Sequence, residues 1–217
     1  LQQLINGIII GASYALIALG LNLIWSITDI PDFSQGGIYV VTAYVAYFAV
    51  KMANIPFIVS LLMAMVLGAG IAFSIERFLY RRWTGRGRIR LLCAIALFFL
   101  LSNMAILLWT AKTKIFPSYL SGGISLVGFA VSYQRIVVLA VSLSLFVAVY
   151  LFIMRTKMGK AIRAASQDRE AAEVVGINIS SVNSAVFMIG GALSATAAVL
   201  ISPLYSVFPT MGDLPLL

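Results

Sequence analysis

Six apolar runs, at about 2 to 28, 34 to 50, 56 to 79, 89 to 109, 135 to 154 and 179 to 202, alternate along the chain with short polar connections. Each is close to the roughly 20 residues a helix needs to cross a bilayer. Ten-residue segments of alternating polarity, the mark of a membrane barrel, are absent, and an open sheet cannot satisfy its backbone in lipid. The pattern predicts an all-α, polytopic transmembrane helical bundle of about six spans, one domain over residues 1–217.

The longest polar stretch runs from Arg155 to Asn178. Its first part, "RTKMGKAIRAAS", can continue the fifth helix, with cations at the end where a helix C-terminus favours them. The next part, "SQDREAAEVVG", reads as a separate short helix over 168 to 176. Asp168 is its expected N-cap, Glu170 falls in the first turn, and Gly176 suits a C′ position with positive φ. A helix of roughly 12 Å is marginal alone in water, so it must pack against something, and Ala171, Val174 and Val175 are the stripe available. It either closes a hairpin or docks a cytoplasmic partner.

A second polar interruption lies in "LNLIWSITDIPDFSQGGIYVVTAYVAYF", residues 21 to 48. Pro31 favours a break after Ile30, Asp32 or Ser34 can cap a new helix, and Gly36 and Gly37 permit close packing. One reading is a turn at the cytoplasmic interface with Asp29 and Asp32 wet. The other is a discontinuous helix whose free N–H groups, with Asn22, Asp32, Ser34, Gln35 and Gly36, line a translocation path, as helix breaks do in transporters.

Composition agrees with a membrane protein. Charged residues make up 10% of the chain, and its mean hydropathy is +1.04, too little polar surface to cover a soluble globule. The formal charge of +8 would point to nucleic acid in a soluble protein, but here it is distributed by topology. Arg77, Arg81, Arg82, Arg86, Arg88 and Arg90 surround the third connection, and Arg155, Lys157, Lys160, Arg163 and Arg169 the fifth. Alternating spans put both groups on one side, cytoplasmic by the positive-inside rule. Only Lys51, Lys112, Lys114 and Arg135 fall on the other, where "KTKIFPSYLSGGISLVG" is an external loop. The basic loop "RRWTGRGRIR" is read as a topology signal, with an anionic-lipid contact as the rival.

Enzymatic chemistry has little to start from. The chain has no histidine and one cysteine, Cys93, inside an apolar run. Its acids are dispersed, so neither catalytic residues nor a metal site are expected. The only Gly-Lys pair, Gly159 and Lys160, is followed by Ala161 and lacks the upstream glycine of a Walker A loop. Trp25, Tyr39, Tyr44, Tyr47, Trp83 and Trp109 are expected to anchor at interfaces or pack. The small residues of "GGALSATAAVL" are expected to let helices approach closely, and Glu76 to pair locally with Arg77. The chain begins at Leu1 without a methionine and ends in "LPLL", so both ends are expected to be limits of a longer protein. The first run is read as a mature span and not as a signal peptide.

Glu170, Ala171 and Ala172, followed after three residues by Gly176, resemble the EAA-x-x-x-G signature of ABC importer permeases, without its I-x-L-P ending. With "LQQLINGIIIGASYALIALGLNLIW", "DFSQGGIYVVTAYVAYF", "IERFLYRR" and "MGKAIRAASQDREAAEVVGIN", nearly the whole chain resembles the high-affinity branched-chain amino acid ABC permease family, in its H-type membrane subunit. That family commonly carries Asn-Phe-Ala-His-Gly where this chain has Asp32, Phe33, Ser34, Gln35 and Gly36. It also continues through a further glycine-rich segment and more spans.

The resemblance implies a plasma (inner) membrane permease for branched-chain amino acids, or for urea or short amides. It would have no cofactor of its own, since ATP and magnesium bind two cytoplasmic ATP-binding subunits. A second homologous permease, or a second copy, and an external solute-binding protein complete the assembly. The segment 155–178 would couple to the ATP-binding subunits, with Asp168, Glu170, Ala171, Ala172, Val175 and Gly176 at the contact. The rivals are a passive channel, a secondary transporter or a membrane-embedded enzyme.

Overall fold

The computed structural model describes residues 2–117, 122–126 and 129–213. Leu1, the "LPLL" end, and positions 118–121 and 127–128 of the predicted external loop lie outside the described residues. Six long helices coincide with the six apolar runs: α1 (Gln2–Thr28), α2 (Ser34–Ala53), α3 (Phe57–Phe78), α4 (Gly87–Trp109), α5 (Tyr133–Arg155) and α8 (Ile179–Tyr205). All six are long and apolar enough to cross a membrane. Between α5 and α8 lie two short helices, α6 (Lys157–Gln167) and α7 (Arg169–Val174). The α4 to α5 connection adds a small antiparallel ladder, β1 (Gly123–Leu126) with β2 (Phe129–Ser132), in the register Gly123 to Ser132 through Leu126 to Phe129.

The axis of the bundle is α8, which packs on α3, α1 and α2. The most apolar window of α8 is 72% buried, against 11% for α4, which therefore lies at the periphery. Small residues make this possible. Gly68, near the middle of α3, faces Gly191 so closely that a Cβ on Gly68 would lie 2.5 Å from the Gly191 carbonyl oxygen and 2.6 Å from the Ala195 Cβ. Backbone-to-backbone approach of this kind is how helices gain packing in lipid, where no hydrophobic gain drives them together.

The second helix starts deep inside. The Ser194 hydroxyl donates to Gln35 Oε1 at 2.7 Å, and Ser194 lies three residues beyond Gly191 on α8, about 4.5 Å of rise. Since Gly191 sits opposite the middle of α3, the first turn of α2 lies about halfway along the bundle. The chain after α8 returns to the same level. Val207 pairs with Lys114 in an isolated bridge, Met211 is buried, and a Cβ on Gly212 would lie 2.5 Å from the Gly36 carbonyl oxygen.

The fifth helix does not continue through "RTKMGKAIRAAS". Thr156 is extended (φ −96°, ψ 158°), and its Oγ1 accepts from the Gly159 N–H at 2.9 Å, capping a new helix. The new helix, α6, folds back onto the end of α5, where Arg163 donates to the Ile153 carbonyl at 3.1 Å. Arg163 thus serves one open carbonyl of α5 across the break, and the segment does not extend that helix. The aromatic residues divide. Tyr39, Tyr44 and Tyr47 are buried, and Tyr44 stacks on Trp109 with ring centroids 5.2 Å apart, while Trp25 is half exposed.

Candidate functional site

Two features stand out from the apolar bundle: the buried start of α2 and the short helix α7. Asp32 is 3% exposed, so it is no wet turn residue, whereas Asp29 is exposed with φ of 56°. Asp32 Oδ1 accepts from the Ser34 N–H at 3.1 Å and from the Tyr80 hydroxyl at 2.7 Å, and Oδ2 accepts from Gln35 Nε2 at 3.3 Å. The N-cap position of α2 is Phe33, which makes no side-chain cap bond; Asp32, one residue earlier, holds the first N–H of the helix, and the Ser34 hydroxyl is buried with no hydrogen-bond partner among the described residues.

Among the described residues the Asp32 carboxylate has no ion pair. Three neutral donors hold it, and Arg90 lies nearby, its guanidinium 5.4 Å from the centroid of the Tyr80 ring. Tyr80 packs edge-on against Phe187, at 5.5 Å between centroids. Asp32, Tyr80 and Arg90 all line one void of about 10 Å³, close to the space of a single water. Gln35, in the first turn of α2, is fully buried and joins Asp32, just before the helix, to Ser194 on α8. Gly36 completes the turn beneath Gly212. Asn22 does not join this group. It is exposed on α1, on the face opposite Gly20, which meets Gly190 of α8.

Sequence reasoning missed Tyr80, Arg90 and Ser194 as members of this network and misplaced Glu76. Glu76 is 2% exposed and accepts from the Ser184 hydroxyl at 2.6 Å. Its neighbour Arg77 lies instead over the Phe73 ring, on the other side of the helix. The available signal was an acid and an arginine placed inside apolar helices, Glu76 near the end of α3 and Arg90 in the first turn of α4, where the helix dipole disfavours a cation.

At the same end of the bundle, α7 is capped as its residues predict. The Ala171 N–H donates to Asp168 Oδ1 at 2.9 Å, Glu170 lies in the first turn, and Gly176 has φ of +85°. The helix itself spans six residues, about 9 Å, less than the 12 Å expected. Its two faces are distinct. Ala172 turns into the protein at 3% exposure, while Val174 and Val175 are 87% and 75% exposed and Ala171 is exposed beside them. Of the two readings of the apolar stripe, closing a hairpin or docking a partner, the exposure of Ala171, Val174 and Val175 fits the second, and Ala172 is the buried residue of α7. Arg169 and Glu173 form an i, i+4 pair at 3.9 Å, worth little at the surface.

Relatives place this architecture. The family model described as "Branched-chain amino acid transport system / permease component" matches residues 3–215. The high-affinity branched-chain amino acid transport system permease protein BraD of Pseudomonas aeruginosa is 33% identical over 99% of this chain and 75% of its own length. The corresponding permease protein LivH of Escherichia coli K12 is 31% identical over 98% of this chain and 74% of its own. A probable LivH of Methanocaldococcus jannaschii is 27% identical over 98% and 70%. No solved structure matches. A bundle of six membrane-spanning helices and this match over nearly its whole length have one consequence: the chain is a multi-pass plasma-membrane protein and belongs to the branched-chain amino acid transport permease family.

Proposed function

We propose that the chain is the membrane-spanning permease subunit of an ATP-driven importer for branched-chain or related amino acids. It receives solute from an external binding protein, pairs with a second permease subunit and releases solute to the cytoplasm by alternating access. Two cytoplasmic ATP-binding subunits supply the hydrolysis, and this chain is not itself an enzyme. The basic end, with Arg81, Arg82, Arg86 and Arg88 beside the start of α4, is the cytoplasmic end.

The observation that carries the reading is α7. A capped helix fixed to the bundle by Ala172 and ended sharply at Gly176 presents Ala171, Val174 and Val175 to the cytoplasm. An exposed apolar knob on a rigid mount is what a partner's groove needs in order to push on the spans. Force entering at α7 reaches α8 directly through the 175–178 turn, and α8 carries Ser194, the partner of Gln35.

The test is co-expression with the cognate ATP-binding subunits and binding protein, followed by affinity capture on this chain and uptake of labelled leucine into liposomes with and without enclosed ATP. The ATP-binding subunits should copurify and uptake should require ATP. Leucine flux through this chain in their absence would make it a channel or secondary transporter and end the proposal.

Asp32 is assigned to the solute path. Asp32→Asn preserves shape and one acceptor oxygen but removes a buried charge, and should lower the uptake rate by about tenfold, the effect of roughly one charge-assisted hydrogen bond. The amount of permease in the membrane should stay within about twofold. Unchanged uptake kinetics would leave Asp32 with only its capping role.

A further inference from the structure

At the cytoplasmic end, a cavity of about 490 Å³ opens between α7, the turn after α3 and the start of α8. Its size suits a small organic ligand, and its walls hold polar groups that the protein leaves unsatisfied. Arg90 is only 8% exposed, and its Nε has no hydrogen-bond partner. Glu76 is 2% exposed and is met by one hydroxyl, that of Ser184. Asn183 is 9% exposed, and its Oδ1 has no partner. Arg90 and Glu76 line the same cavity, together with Arg81 and the paired Arg169 and Glu173, yet among the described residues neither Arg90 nor Glu76 forms a salt bridge with the other or with any third group.

Buried charges are retained when they are paired. An inorganic anion would satisfy Arg90 and leave Glu76 exposed to a second negative charge; a cation would do the reverse. A molecule bearing both charges a few ångströms apart satisfies the two together. We infer that this cavity is a cytoplasmic binding site for a free α-amino acid, with its carboxylate on Arg90 and its ammonium on Glu76 and Asn183 Oδ1. Ile177 and Ile179, also in the wall, give an alkyl side chain an apolar contact.

The position of the site gives it a consequence. Arg169 and Gly176, the two ends of α7, form part of the cavity wall. An occupant tied to α3, α4 and α8 therefore also fills the space into which α7 would move. Amino acid accumulated inside holds α7 against the bundle and slows further import. This inference rests on the proposed function for the identity of the amino acid, and it adds a second site beside the α2 break, with Tyr80 and Arg90 in the wall between the two.

The experiment uses the complete transporter in liposomes, with ATP enclosed and L-leucine enclosed at zero or about 10 mM, and reads initial uptake of labelled leucine. Enclosed leucine should lower the rate by about fivefold or more, within the usual range of coupling between sites. N-acetyl-L-leucine, which lacks the ammonium, and L-leucinamide, which lacks the carboxylate, should each need at least about tenfold higher concentration for the same inhibition. Arg90→Gln and Glu76→Gln should each abolish the inhibition, read as the ratio of rates with and without enclosed leucine in the same variant. If either fails to assemble, Asn183→Ala replaces it, with the inhibitory concentration raised about tenfold.

The outcomes separate this inference from the function on which it rests. ATP-dependent uptake that ignores enclosed leucine overturns the cytoplasmic site and leaves the importer standing. Inhibition that survives the substitutions overturns it equally, as does equal potency of N-acetyl-L-leucine, which would mark an anion site. Absence of uptake by the unsubstituted transporter overturns the proposed function and this inference with it.

Discussion

Val174→Asp combined with Val175→Asp is expected to reduce ATP-driven uptake by tenfold or more, about what the loss of a central interface contact costs, while the permease still inserts. The two side chains are the most exposed apolar groups of α7 and make no cap, so their replacement leaves the fold untouched. Charges there would have to be buried unpaired in a partner's apolar groove. Gly176→Pro should produce the same loss by a different route. Gly176 needs φ of +85°, and its N–H donates to the Glu173 carbonyl at 3.0 Å; proline can supply neither. Glu170→Arg should weaken coupling too, by reversing the charge at the helix N-terminus. The measurement compares uptake with ATP hydrolysis in the same liposomes. Normal uptake by the double aspartate variant would remove α7 as the point of force transmission.

Gly191→Leu is expected to prevent the bundle from assembling at all. Any Cβ at that position would overlap the Gly68 carbonyl oxygen and lie 2.5 Å from the Ala72 Cβ. The obstacle on one side is backbone, which cannot rotate away. Overpacking a core by a few methylenes costs about 1–3 kcal/mol, and here the strain would fall on the α3 to α8 contact that organises the other helices. Extraction in mild detergent followed by size-exclusion chromatography should show loss of the monodisperse peak for Gly191→Leu. Gly70→Leu, at a site where an added Cβ meets nothing within 4 Å, should keep it. A monodisperse Gly191→Leu protein would mean that the helices can separate there without cost.

The six spans were legible because a membrane helix carries its evidence locally, in a run of apolar residues as long as the bilayer is thick. The caps of α7 were legible for a similar reason: Asp168 reaches a backbone N–H only three residues away. The break between α5 and α6 was not, although Thr156 and Gly159 mark it, because the cations after Arg155 also suit the C-terminal end of a continued helix and the reversal depends on α6 packing back on the end of α5. The face by which α7 sits on its own chain was not fixed by the sequence. Ala171, Ala172, Val174 and Val175 are all apolar, and hydropathy does not distinguish the alanine that docks inward from the valines that point outward.

The candidate site divides along the same line. Composition, span count and the existence of a break near Pro31 follow from residues acting on their immediate neighbours. The depth of that break, and the company Asp32 keeps, follow from contacts that join positions far apart in the chain. Tyr80 reaches Asp32 across 48 residues, Ser184 reaches Glu76 across 108, and Ser194 reaches Gln35 across 159. The bonds of Ser184 and Ser194 exist because small residues let α8 approach its neighbours at backbone distance, and they fall at two levels about 15 Å apart along α8. An isolated acid in an apolar run announces that a partner must exist, since burying it unpaired is too costly. Which partner it finds is a property of how the helices cross.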